Sequence, residues 1–319
     1  MVNDLFSGAS KGKNDWWRYL LGIGVVFLFY FLGQMFLYGV LLYRYSEDPL
    51  LGQEALSRFE RSMDFKAVGI DKNLGFILLI MMFVVALSGL YLVVKYIHKK
   101  RFLSLITPQN TLAINKILFG FGLWLLLSLA LEGINYLLSP ESYTFRWNPS
   151  GYIPLLVISV FMLPVQTSFE ELFFRGYLMQ GMSIPARSKW IPVLISSIIF
   201  GLVHGTNPEV AKYGFLTMQV YYIIAGLFLA VITVLDDSLE LALGVHAATN
   251  FFGATLFTYE GGVLQTDSLF TTTEIKPWLM TVGFAAAAAV FIFICTRKYN
   301  WPPLSYLLGR IDTPPAETA

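Results

Sequence analysis

Residues 19–43, YLLGIGVVFLFYFLGQMFLYGVLLY, contain no charged side chain and are bounded by Arg18 and Arg44. A helix crosses a hydrocarbon core about 30 Å thick with roughly 20 apolar residues, so this stretch predicts a transmembrane helix. The stretch is too long for the apolar region of a cleavable signal peptide, and no small-residue cleavage site follows it. We therefore expect the chain to enter a membrane close to its N-terminus.

Seven further apolar stretches of similar length follow, at residues 75–94, 117–138, 152–169, 190–206, 213–235, 241–259 and 277–296. The composition agrees with them, because 56% of the residues are hydrophobic and 13% are charged, about half the share that soluble domains carry. The sequence predicts an all-α, polytopic membrane helix bundle with about eight transmembrane helices. A disordered chain, a disulfide scaffold and an ordinary cytosolic enzyme are excluded.

Lysine and arginine clusters indicate how the bundle is oriented. They lie before the first stretch, after the second, between the fourth and fifth, and after the eighth, so the positive-inside rule predicts cytoplasmic termini. A net charge of +1 offers no case for a nucleic-acid partner. We expect three regions: residues 1–150 with three helices and no recognised motif, residues 151–260 as the functional core, and residues 261–319 with the last helix and a loose, proline-containing cytoplasmic tail.

Charged residues at the end of the fourth stretch are costly in a membrane. A charge at a helix centre costs about 2.5–3.5 kcal/mol on insertion scales. Glu171 and Arg175 are four residues apart and can pair along one helix face. Glu170 faces elsewhere and has no expected partner in its own helix, which indicates a functional site. The alternative is that all three lie at the cytoplasmic helix end and are solvated.

Two of the three histidines lie inside apolar stretches, and the third, His98, lies in a basic loop where we expect it to be solvated or to contact lipid headgroups. His204 is in the fifth stretch, and His246 precedes Asn250 by one turn in the seventh. Hydrogen bonding between helices would also explain these residues. With Glu170, however, they form a set in which a carboxylate and an imidazole can activate water. An imidazole N–H and an amide can then stabilise an oxyanion.

Three motifs in this order resemble those of the CPBP family of intramembrane proteases. They are Glu170-Glu171-x-x-x-Arg175, Phe200-x-x-x-His204 and His246-x-x-x-Asn250. The family includes the type II CaaX prenyl endopeptidases and the bacterial Abi-type proteins. The resemblance covers about a third of the chain, near residues 155–255, and the remaining helices carry no recognised motif.

The resemblance implies an intramembrane endopeptidase that hydrolyses a peptide bond of a membrane-associated protein or peptide. It assigns water activation to Glu170 and His204, and oxyanion stabilisation to His246 and Asn250. It makes Glu171 and Arg175 a supporting pair. A prenylated substrate is not implied, because many relatives occur in bacteria, which lack this modification. We expect a multi-pass protein of a bacterial plasma or inner membrane, with lipid and an unidentified peptide or protein as partners.

No cofactor is expected, although zinc is an open alternative. Glu170, His204 and His246 with one water would be a sufficient ligand set for catalytic zinc. Neither histidine belongs to the i, i+4 pair common in metallopeptidase helices. Asn250 suits an oxyanion better than zinc. These two observations favour direct activation of water.

Two other functions remain open. One is a non-catalytic membrane scaffold or immunity protein of the same family. The other is an ion-coupled transporter, which is less favoured because transporter folds usually contain inverted repeats and the motif pattern has no second copy. The helical rise also raises a question of depth: His204 lies roughly 21 Å from Trp190, whereas His246 lies roughly 9 Å from Glu240. A shared site therefore requires a tilt, a kink or a shifted helix boundary.

Overall fold

The computed structural model describes residues 5–6, 11–47, 57, 59–60, 62–273 and 275–311. The described chain forms an α-helical membrane bundle with one small sheet. Its helices are α1 (Trp16–Glu47), α2 (Lys72–Leu92), α3 (Ile114–Leu138), α4 (Pro149–Glu171), α5 (Met179–Ala186), α6 (Trp190–Val203), α7 (Pro208–Tyr213), α8 (Phe215–Asp236), α9 (Glu240–Thr255) and α10 (Pro277–Tyr299). A π-helical turn, Leu172–Leu178, joins α4 to α5, so that the three segments form one continuous helix.

Six helical segments of the described chain are long and apolar enough to cross a membrane. They are Trp16–Ser46, Lys72–Ile97, Ile114–Leu138, Pro149–Ala186, Phe215–Asp236 and Pro277–Tyr299. The all-α membrane bundle is thus confirmed. The fifth and seventh predicted spans are helical but shorter than expected, because α6 has 14 residues and α9 has 16. The number of complete crossings and the cytoplasmic placement of the termini stay predictions.

The short helix α9 is a central element of the bundle. It packs against α3, α4 and α8. Gly120 and Gly244 let α3 and α9 approach closely, since a Cβ at Gly244 would meet the Ile117 carbonyl and one at Gly120 would lie 2.8 Å from the Leu241 carbonyl. The protein surroundings of α9 place His246 inside the bundle.

The sheet consists of β1 (Tyr143–Phe145), β2 (Phe257–Tyr259) and β3 (Phe270–Thr272), in the order β1-β3-β2. Strand β3 pairs antiparallel with β1 and parallel with β2. Because β1 precedes α4 and β2 follows α9, the sheet joins the ends of the two helices that carry most of the motif residues.

The segment after α10 is packed, so the prediction of a loose tail is wrong for residues 301–311. Trp301, Leu307 and Ile311 are buried in the largest apolar cluster. Trp301 Nε1 also donates to Asp236 Oδ1 at 3.0 Å. The apolar side chains between the prolines bury this segment, which the proline content alone did not indicate. Residues 312–319, with the last two prolines, lie outside the described residues.

His98 is buried, so the expectation that it is solvated is wrong. One ring nitrogen, Nδ1, is 2.8 Å from the Lys13 carbonyl oxygen, and the other, Nε2, is 2.9 Å from the Tyr177 hydroxyl. The Tyr19 ring lies 4.5 Å from the imidazole, centre to centre. Burial lowers the pKa of His98 from 6.5 to about 4. The residue ties the segment before α1 to the end of α2.

Candidate active site

Glu171 and Arg175 form a fully buried ion pair. Arg175 Nη1 donates to Glu171 Oε1 at 2.7 Å, and both side chains are 0% exposed. The other terminal nitrogen, Nη2, donates to the Gly226 carbonyl of α8 at 3.1 Å. The guanidinium also lies 4.4 Å from the centre of the Phe200 ring. The pair that the i, i+4 spacing predicts therefore also links α4 to α6 and α8.

His246 lies between the two adjacent glutamates. Its Nδ1 is 2.6 Å from Glu171 Oε1, and its Nε2 is 3.6 Å from Glu170 Oε2. An ionised carboxylate only accepts hydrogen bonds, so Nδ1 is the donor to Glu171. Glu171 thus orients both Arg175 and His246. The spacing in the sequence predicted the contact with Arg175 but did not indicate the contact with His246.

Gln166 is a site residue that the sequence analysis missed. Its Nε2 donates to Glu170 Oε1 at 3.3 Å, and its Oε1 accepts from Asn250 Nδ2 at 3.4 Å. The expectation that Glu170 has no partner in its own helix is therefore wrong. The sequence contained a signal for this contact, because a glutamine four residues before a glutamate lies on the same helix face.

His204 follows the last residue of α6 and is half-buried. Its Nδ1 donates to the Phe200 carbonyl at 2.7 Å, and its ring lies 4.5 Å from the rings of both Phe200 and Tyr222. Because a carbonyl can only accept, the ring hydrogen is on Nδ1 and the neutral ring keeps a lone pair on Nε2. The local helix geometry therefore selects the tautomer in which Nε2, rather than Nδ1, can accept a proton.

The structure brings the three motifs together. The Phe200 ring contacts both imidazoles, at 4.5 Å from His204 and 6.1 Å from His246. His204 is also within electrostatic range of Glu170. Both imidazoles contact the Phe200 ring, so the unequal distances along α6 and α9 do not keep His204 and His246 apart. The first residue of α9, Glu240, is itself buried and accepts from the Ala113 amide at 3.2 Å.

Another buried acid, Glu209, has no signal in the sequence because it lies between two predicted spans. It is 2% exposed. Its Oε1 accepts hydrogen bonds from the Tyr222 hydroxyl and from Asn207 Nδ2. Within the described residues its other oxygen has no hydrogen-bond partner. Through Tyr222 this acid is connected to the face of His204.

Zinc binding by Glu170, His204 and His246 is the alternative that the sequence leaves open. In the part of the chain that the structure describes, no three histidine, cysteine, aspartate or glutamate side chains are arranged to hold a metal ion. His204 donates from Nδ1 to a carbonyl and His246 donates from Nδ1 to a carboxylate. Histidines that bind zinc through Nε2 have the same kind of partners on Nδ1, so these bonds do not decide between zinc and direct activation of water. The zinc alternative stays a prediction.

Comparisons with known proteins agree with the motifs. A family model described as "Type II CAAX prenyl endopeptidase Rce1-like" matches residues 149–252, which include all the motif residues. A protein of Bacillus subtilis (strain 168), "Uncharacterized protein YyaK", is 31% identical over 285 residues, which are 89% of this chain and 91% of that protein. No solved structure matches the chain. The chain, an integral membrane protein, therefore belongs to the Rce1-like family of type II CAAX prenyl endopeptidases, which includes intramembrane proteases.

Proposed function

We propose that this protein is an intramembrane endopeptidase that hydrolyses a peptide bond of a membrane-associated protein or peptide. The observation that carries the proposal is the environment of Glu170. The residue is 6% exposed, and the polar contacts of its carboxylate within the described residues are long, at 3.3 Å to Gln166 and 3.6 Å to His246. A buried carboxylate with such sparse contacts can accept a further hydrogen bond from water.

Water activation falls to Glu170 and His204. A carboxylate and the lone pair on a neutral imidazole are both general bases, and general base catalysis contributes about 10²–10⁴-fold to a rate. The base takes a proton from water while the water oxygen attacks the substrate carbonyl carbon. The protonated base then returns the proton to the amine that leaves. Family membership and the placement of His204 support this assignment.

Oxyanion stabilisation falls to His246 and Asn250. An amide nitrogen has two hydrogens, and Asn250 Nδ2 donates to Gln166 through a long bond of 3.4 Å, so it retains donor capacity. His246 donates from Nδ1 to Glu171, so Nε2 can donate to the oxyanion when the ring carries both hydrogens. The adjacent Glu171 carboxylate stabilises that charged ring, as a buried carboxylate does for the histidine of a hydrolase triad.

Comparative proteomics tests the proposal. Membranes of a bacterium that produces the protein are compared with membranes that contain Glu170→Ala, and Glu132→Ala in α3 is the matched control. We expect at least one membrane peptide or protein to be shortened with the unsubstituted protein and with the control, but not with Glu170→Ala. Identical peptide lengths in all samples would refute the endopeptidase and favour a scaffold. Fractionation of the same cells checks the proposed plasma-membrane location.

Metal dependence is tested separately on purified protein. We expect cleavage of the identified substrate to survive exhaustive chelation, because the mechanism uses side chains and water alone. Activity that disappears with the chelator and returns with one equivalent of zinc would refute the direct mechanism. That result would leave the endopeptidase assignment in place.

A further inference from the structure

A polar cluster outside the three motifs lies against His204. The Tyr222 ring stacks on the imidazole with the two planes at 27° and their centres 4.5 Å apart. The Tyr222 hydroxyl donates to the Glu209 carboxylate, and Asn207 Nδ2 lies 3.2 Å from Glu209 Oε1 and 3.1 Å from the Tyr222 oxygen. Tyr222 is 8% exposed and Glu209 is 2% exposed, so the cluster is part of the interior.

The arrangement restrains the imidazole in two ways. The bond from Nδ1 to the Phe200 carbonyl selects the tautomer. The Tyr222 ring lies against the ring face and limits its rotation. A tyrosine ring anchored at its hydroxyl cannot turn away without breaking its hydrogen bond to the buried carboxylate, and a hydrogen bond lost in the interior is not replaced by one to water. The buried Glu209 carboxylate thus fixes the Tyr222 ring, and the Tyr222 ring restrains the imidazole of His204.

We propose that Tyr222 and Glu209 are positioning residues that keep His204 in the orientation and tautomer in which Nε2 accepts a proton. This role rests on the function proposed above. A purely structural role, in which the cluster only fastens α7 to α8, makes a different prediction. It would leave the imidazole of His204 unchanged in any variant that still folds.

Nitrogen-15 NMR of the full-length protein in detergent micelles tests the proposal, because the chain has only three histidines. His98→Gln and His204→Gln assign the imidazole signals. We expect the His204 signals to report a hydrogen on Nδ1. In Tyr222→Leu we expect a mixture of tautomers. In Tyr222→Phe, which keeps the stacked ring and loses its anchor, we expect a smaller change in the same direction.

Glu209 and a neighbouring tyrosine supply the matched controls. Glu209→Gln keeps an oxygen that accepts from Tyr222 and should leave the His204 signals unchanged, whereas Glu209→Ala should resemble Tyr222→Phe. Tyr221→Phe removes the hydroxyl of a tyrosine whose ring contacts Tyr222 and Phe284, and it should have no effect. Turnover of the substrate found by proteomics should fall by about 10- to 100-fold in Tyr222→Leu, as expected for a misplaced catalytic group.

Three results would overturn the proposal. These are unchanged His204 signals in a folded Tyr222→Leu or Tyr222→Phe variant, changed signals with unchanged turnover, and equal effects of Glu209→Gln and Glu209→Ala. Failure of the endopeptidase assignment is recognised separately, by the absence of any product that depends on Glu170. The tautomer of His204 is measured without substrate, so it decides the positioning role in either case.

Discussion

Two buried acids in this protein have very different surroundings. Asp236, at the end of α8, receives short bonds from every side: Lys116 Nζ lies 3.0 Å from both oxygens, Ser238 Oγ is at 2.6 Å and Trp301 Nε1 at 3.0 Å. Glu170, at the end of α4, has only the two long contacts described above within the described residues.

Asp236 is bonded as a structural anchor, and Glu170 is not. Short charge-assisted bonds to several donors stabilise a carboxylate and use its lone pairs, which suits Asp236 to the task of joining α8, α3 and the segment after α10. Long and sparse contacts leave the Glu170 oxygens able to bind water. The carboxyl group of Asp236 therefore supports packing, whereas that of Glu170 is free to take the catalytic role that we propose for it.

The largest expected effect is that of Glu170→Gln on turnover. The amide keeps the shape of the carboxylate but cannot take a proton, so we expect the rate to fall by about 10²–10⁴-fold. The melting temperature in detergent should be unchanged. Turnover of the identified substrate is the measurement. A variant with more than half of the original rate would show that Glu170 is not the base.

Arg175→Ala should act on stability. It removes the cationic partner of Glu171, which stays buried with only the hydrogen bond from His246, and breaking a buried ion pair costs about 3–5 kcal/mol. We expect a much lower yield of folded protein and a lower denaturant midpoint, with Arg297→Ala at the exposed end of α10 as the control. If Arg175→Ala and Glu170→Gln have the same effects on yield and on turnover, the division between support and catalysis is wrong.

Asp236→Ala sharpens the comparison from the other side. The substitution removes the acceptor of Lys116 and Trp301, and an unsatisfied buried donor costs about 1–3 kcal/mol. We expect a lower midpoint of unfolding but normal turnover in the folded fraction. A loss of turnover in folded Asp236→Ala as large as the loss in Glu170→Gln would contradict the anchor role.

Gln166→Ala should have a smaller effect, and on turnover. It removes one hydrogen bond to Glu170 and one to Asn250, both long, so we expect a loss of about 1 kcal/mol of transition-state stabilisation, or roughly fivefold in rate. Gln34→Ala in α1 is the control. Equal rates for the two variants would remove Gln166 from the site.

The smallest expected effect is a dependence of stability on pH through His98. Burial lowers its pKa from 6.5 to about 4, so between these values the unfolded chain binds a proton that the folded chain does not. The neutral imidazole contributes fully to the free energy of unfolding above pH 6.5, and this contribution is lost as the pH falls toward 4. Between pH 7.5 and pH 5 we expect the melting temperature of the unsubstituted protein to fall by about 2 °C more than that of His98→Gln. Equal falls would contradict the assignment.

Features that depend on neighbours along the chain could be predicted from the sequence. Length and hydropathy identified the long membrane helices, and the spacing of Glu171 and Arg175 predicted their pair, because residues four apart share a helix face. The same rule would have found Gln166 beside Glu170. The motifs marked His204, His246 and Asn250 as polar groups that an apolar helix retains at a cost.

The tertiary structure decided what depends on packing between helices. Three features depend on contacts between residues that are distant in sequence. They are the bond between His246 and Glu171, the central position of the short helix α9, and the connection of Glu209 to His204 through Tyr222. Apolar composition states only that a helix prefers lipid or protein to water. Which polar side chains meet inside the bundle is fixed by the close approach of particular helices, as at Gly120 and Gly244, and that choice has no local signal in the chain.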